Sequence, residues 1–134
     1  MIYLLDTNIC IAIIRKKSPL AMARLRTCAV GDAVISAITF SELQVGAYKS
    51  RDPQLNLALL INFCAPLPVL PYDEIAGVSY GPLRAHLESG GISIGPLDTL
   101  IAAHALSLNL IMVTDNEREF RRVPNLKVEN WTKS

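Results

Sequence analysis

Apolar residues in this chain fall into two kinds of run. The first kind is short and uninterrupted: Ile2-Tyr3-Leu4-Leu5, Ala33-Val34-Ile35-Ser36 and Leu110-Ile111-Met112-Val113. Their length and branched character predict strands buried on both faces. The second kind is longer and striped. From Asp98 to Leu108 the sequence is rich in Ala and Leu, with Ile101, Ala102, Ala105 and Leu108 on one face, and predicts a helix. Asn109 supplies a left-handed stop before the strand that follows.

Punctuation places the other elements. Ile9 to Ile14 reads as a helix closed by Arg15-Lys16-Lys17, where cations suit a helix C-terminus. Ser18-Pro19 and Asp52-Pro53 are cap-plus-proline starts for helices running to about Cys28 and Cys64. Thr39 and Glu42 have the spacing of a capping box and predict a helix to about Tyr48. Pro66 to Pro71 predicts a short strand with prolines at its margins. Asp73 caps a helix over 74–88 that contains Gly77, Gly81 and Pro82, and Gly90-Gly91 ends it. One helical turn over Asn116 to Phe120 and a last strand within Val123 to Glu129 complete the series. Strands alternating with helices predict an α/β fold, a parallel sheet covered on both faces. With no linker or repeat, residues 1–134 read as a single domain.

Composition sharpens this picture in three places. At 51% hydrophobic and 19% charged residues, the chain carries more apolar surface than one core needs, which predicts a subunit or partner interface. No stretch is long and clean enough to span a bilayer. The start, MIYLLD, lacks the basic region of a signal peptide. Three widely spaced cysteines, Cys10, Cys28 and Cys64, argue against a disulfide framework or a zinc knuckle and fit a reducing cytoplasm. Net charge is only +1, but the cations cluster, at Arg15-Lys16-Lys17, Arg24/Arg26, Lys49/Arg51 and Arg118/Arg121/Arg122. Such clusters beside an acidic site suit a polyanion.

The acids supply that site. In an open α/β sheet, ligands bind outside the carboxyl ends of the strands. Asp6 closes the first strand, and Glu42 lies at the start of the helix after the second. Asp98 starts the helix before the fourth strand. That helix falls by about 16 Å and the strand climbs back by about 16 Å. Asp98 and Asp115 therefore meet at one edge, with Asp6 and Glu42. Gathered carboxylates repel one another, so the protein must protonate some or bind a cation. Oxygen-only ligands point to Mg²⁺ or Mn²⁺ instead of zinc. A hard cation at a basic-rimmed cleft suits phosphodiester cleavage.

Each acid also has a plain structural use: Asp6 as a cap, Glu42 as the capping-box partner of Thr39, Asp98 on a helix dipole, Asp115-Asn116 as a turn. Other chemistries find little support. His86 and His104 lack partners at helical spacing, no serine sits in a G-x-S-x-G elbow, and Gly90 to Gly95 lacks the spacing and Lys of a phosphate loop. Two readings compete with the nuclease. A phosphatase of small substrates commonly uses a second Asp two residues after the first, where this chain has Asn8. A non-catalytic binding module would keep the acids only as caps.

Four stretches, MIYLLDTNIC, ITFSELQVGAYKS, IGPLDTLIAAHALSLNL and VTDNEREFRRV, together resemble the PIN-domain toxins of the VapC type over essentially the whole chain. That resemblance implies a three-layer α/β/α sandwich and a Mg²⁺- or Mn²⁺-dependent endoribonuclease. It also implies a homodimer, neutralised by a VapB-type antitoxin in the cytoplasm. Metal coordination carries onto Asp6, Glu42 and Asp98, with Asp115 or Asn116 in the fourth position, Thr114 beside it and Asn8 as a further polar group. The IGP-x-D and TDN-x-REF variants resemble a branch that cuts initiator tRNA in the anticodon loop. Arg15, Lys16, Lys49, Arg118 and Arg121 are the candidate phosphate contacts.

Overall fold

Four helices carry the side-chain caps that the sequence offers. Asp6, Ser18, Asp52 and Asp73 accept backbone N–H bonds from Ile9, Ala21, Leu55 and Ala76 at 2.9, 3.1, 3.1 and 3.2 Å. The computed structural model describes residues 1–133. Its elements in order are β1 (Tyr3–Leu5), α1 (Thr7–Ile14), α2 (Pro19–Thr27), β2 (Ala33–Ser36), α3 (Ala37–Tyr48) and α4 (Pro53–Cys64). Then come β3 (Val69–Leu70), α5 (Glu74–Ser89), α6 (Pro96–Ser107), β4 (Ile111–Val113), α7 (Glu117–Phe120) and β5 (Val128–Glu129).

The starts of α1, α3 and α6 differ from expectation, α1 opening at Thr7, two residues before Ile9. β2 runs straight into α3, whose cap is Ser36, accepting from Ile38 N–H at 3.1 Å. The capping box of Thr39 and Glu42 does not form. Thr39 is buried within the first turn, and Glu42 lies one turn further along. α6 begins at Pro96, whose fixed φ suits the first helical position, so Asp98 sits inside the first turn. Leu108, expected on the buried stripe, falls at the C-cap of α6 and is exposed. Asn109 takes the left-handed conformation expected of it, at φ 54°. Despite Pro82, α5 is continuous, held by a buried stripe of Ala76, Leu83 and Leu87.

All four strand pairings are parallel, in the order β3-β2-β1-β4-β5. The core divides by strand alternation. Leu4, Val34 and Met112 face α5, α6 and α7, where Leu83, Leu87, Ile101 and Phe120 pack. Leu5, Ile35 and Val113 face the other way, onto Ile9 and Ile13 of α1, Leu43 of α3 and Leu60 of α4. This is a three-layer α/β/α sandwich. The tail returns to β1, where Trp131 packs edge-on against Tyr3 at 5.1 Å. Among the described residues no helix is long and apolar enough to cross a membrane. From β1 the chain first builds outward through β2 and β3, then crosses back to add β4 and β5 on the other side. The crevice between the ends of β1 and β4 is thus the switch point at which such folds bind ligands.

Candidate active site

Asp6 sits in that crevice. Its Oδ1 caps α1 through Ile9, and its Oδ2 accepts from Thr114 Oγ1, just past β4, at 2.5 Å. The Thr114 hydroxyl in turn accepts from the Asn116 backbone N–H at 2.9 Å. One carboxylate therefore joins the ends of the two central strands. It is 2% exposed, and this burial pushes its carboxyl up to about 7. The bonds from Thr114 and Ile9 pull against that rise, and the charges of Asp115 and Asp98 add to it.

Glu42 reaches the same edge from α3. Its Oε1 accepts from Thr7 Oγ1 at 2.7 Å, one residue beyond Asp6. Asp98, half-buried in the first turn of α6, is pushed up to about 6, first by burial and then by Glu119 and Glu42. Asp6, Glu42 and Asp98 are brought together. Asp115 is exposed, though close enough for its charge to act on Asp6. Asn116 is half-buried, and its side-chain amide donates to Glu119.

Glu119 was not among the residues expected from sequence. Its signal was the i, i+3 spacing from Asn116, which a four-residue helix is too short to display as a periodic pattern. The fourth acidic position is therefore shared ground. Asp115 flanks Asp6, and Glu119 flanks Asp98.

Of the candidate phosphate contacts, Arg15 lines a groove with one of the acids, Glu42; the groove, of about 130 Å³, lies between α1, α3 and α4. Arg121 is paired with Glu117 at 3.0 Å. Lys16, Lys49 and Arg118 are exposed, with no ion-pair partner among the described residues. Asn8 is exposed on the first turn of α1. Among the described residues no three His, Cys, Asp or Glu side chains converge into a ready-made cage. The acids act on one another through charge across the crevice.

A parallel α/β/α sandwich with acids lining its switch point defines a class, the nuclease-like domains that gather carboxylates around a divalent cation. Residues 3–126 match the model of the PIN domain. The chain is 43% identical to the tRNA(fMet)-specific endonuclease VapC of Shigella flexneri, across 97% of this chain and 98% of that one. It is 41% identical to the ribonuclease VapC2 of Rickettsia felis, across 99% and 100%. The DNA-bound VapBC structure from Salmonella typhimurium superposes with a TM-score of 0.93 at 41% identity, covering 98% of each chain. VapBC2 of Rickettsia felis, bound to a fragment of its promoter, gives 0.90 at 38%, covering 98% and 99%. The chain belongs to the VapC-type PIN-domain ribonuclease toxins.

Nucleases of this family depend on a metal ion, and the residues here fit one. Their donors are all oxygens. Two of the carboxyls are held well above their usual range by burial and mutual repulsion, and a divalent cation relieves both.

Proposed function

We propose that Asp6, Glu42, Asp98 and the Asp115/Glu119 pair hold Mg²⁺ or Mn²⁺ and that the chain hydrolyses a phosphodiester bond of initiator tRNA in the anticodon loop. The observation that carries this reading is the Asp6 carboxylate. It is buried at the switch point, bridges β1 to β4, and feels the charges of two further acids. When bound, the cation lowers the pKa of a water and neutralises charge on the phosphate and the departing oxygen. The chain's own residues do the rest. Thr114 and the Ile9 N–H fix the two carboxylate oxygens of Asp6, and Thr7 fixes Oε1 of Glu42. Arg15 stands beside Glu42 to take a backbone phosphate. The tRNA assignment rests on the full-length likeness to a tRNA(fMet)-specific relative.

The partner is a VapB-type antitoxin, since relatives of this size and fold were solved as VapBC complexes. We place the protein in the cytoplasm with its substrate, as a homodimer. The surplus of exposed apolar side chains, among them Val45, Tyr48, Ile61, Ile75 and Val78, gives both partners surface to cover.

The test is cleavage of a total tRNA pool by the toxin freed of antitoxin, with Mg²⁺, with EDTA and as Asp98→Asn. Discrete products that vanish in both controls support the reading, and end mapping names the bond. Cleavage that survives EDTA or the substitution overturns the site. Comparing Asp115→Asn with Glu119→Gln decides the fourth position, since the variant that loses cleavage identifies the acid that matters.

A further inference from the structure

The chemistry above leaves one buried polar pair unused. His104, in the middle of α6, is 2% exposed, and Ser36, the last residue of β2, is fully buried. His104 Nδ1 lies 2.8 Å from Ser36 Oγ. That oxygen already accepts from Ile38 N–H as the cap of α3. Among the described residues the hydroxyl hydrogen has no other acceptor, so hydrogen-bond accounting assigns it to Nδ1. His104 is then the neutral tautomer with its proton on Nε2. Burial holds the imidazole below its usual pKa, with Asp73 pulling the other way. Tyr72 packs edge-on against the ring at 5.4 Å and 76°, which fixes its plane.

The position of this pair matters more than its presence. Ala102, Ala103 and Ala105 around His104 are all fully buried, and an apolar residue would fill the same place without burying two polar groups. What the pair does is tie two helices at one point. Asp98 lies six residues before His104 on α6, and Glu42 lies six residues after Ser36 on α3. At 1.5 Å per residue, each acid stands about 9 Å from the tie. α3 starts from its cap Ser36 and α6 meets it at His104, so each helix carries an acid six residues from the joint.

We propose that the His104–Ser36 hydrogen bond is a positioning joint that sets the separation of Asp98 and Glu42, and with it the fit of the cation between α6 and α3. This rests on the carboxylate reading given above. His104 does not touch substrate or metal; it acts through the two helices. Cation sites tolerate displacements of only about half an ångström, so a joint at the start of α3 and within α6 acts directly on affinity.

The experiment is direct Mn²⁺ binding to the antitoxin-free toxin, followed by loss of the free-ion electron paramagnetic resonance signal. It is run on wild type, His104→Leu, His104→Asn, Ser36→Ala and Ser36→Thr, with tRNA cleavage in parallel. Leu and Ala are expected to weaken Mn²⁺ binding about tenfold, with Asn, whose amide reaches the Nδ1 position, and Thr, which keeps the hydroxyl, within about twofold of wild type. Cleavage by the Leu variant should lose kcat with KM held. The double variant should be no worse than the weaker single, since the two residues form one joint. If His104→Leu does not fold, Ser36→Ala against Ser36→Thr carries the same comparison. Wild-type Mn²⁺ affinity in the Leu and Ala variants, whatever happens to their melting temperatures, overturns the joint. Absence of Mn²⁺ binding by the wild type overturns the carboxylate reading, and the joint with it.

Discussion

Asp6 uses one carboxylate for two purposes, capping α1 with Oδ1 and joining β1 to β4 with Oδ2. The cap was readable from its place before a helical run. The bond to Thr114 was not, since nothing local connects residues so far apart. Replacing Thr114 with Val keeps the shape but removes the donor. It is expected to cost about 1–2 kcal/mol in chemical denaturation and to move the acid limb of the cleavage profile to higher pH. The pH dependence has a definite sign. Asp6 and Asp98, held at about 7 and about 6, keep their protons more tightly folded than unfolded. Their contribution to stability is complete below about pH 4 and is lost as pH rises through 6 and 7. The melting temperature of the metal-free protein should therefore fall between pH 5 and 8, and Asp6→Asn should flatten that fall. Saturating Mg²⁺ or Mn²⁺ should raise the melting temperature most above pH 7. A metal-induced shift that shrinks with rising pH would contradict this account.

At the scale of elements, starts that combine a cap with a proline were the most legible. Ser18-Pro19 and Asp52-Pro53 open α2 and α4 where expected, because side-chain oxygen and fixed φ act within one turn. Ser18→Ala and Asp52→Ala should each cost about 1 kcal/mol of stability and leave tRNA cleavage unchanged, read by denaturant melts beside the activity assay. Thr39 and Glu42 mimicked a capping box because the two residues do share a helix face. Both instead turn to Thr7, whose hydroxyl lies 3.4 Å from Thr39 Oγ1 and 2.7 Å from Glu42. The real start of α3 carried no turn residue, since β2 feeds it without a loop. Glu119 escaped notice for the opposite reason, on a helix too short for any period.

For the whole molecule, hydrophobic runs revealed strands and their burial but not their neighbours. That β1 and β4 lie side by side follows from packing across the complete sheet, and this adjacency creates the crevice. Inferring that four acids reach one edge needed only the carboxyl-end rule. Finding Glu119 beside Asp98 needed the folded arrangement of α6 and α7. Association with tRNA should weaken steeply as salt rises, with a log–log slope of about −0.7 for each phosphate contact. Arg15→Ala should make that slope shallower by one contact, whereas Arg121→Ala, already paired with Glu117, should change it less. Filter binding at several salt concentrations separates the two.

The bond between Asp6 and Thr114 spans almost the entire chain. A ribosome makes Asp6 long before Thr114, and β4 enters the sheet only after α1 to α6 have been synthesised. The crevice between β1 and β4 therefore does not exist on a chain that stops short of β4. A ribonuclease toxin built this way stays inert until its own synthesis has passed β4. An antitoxin already present then meets each molecule as it becomes dangerous.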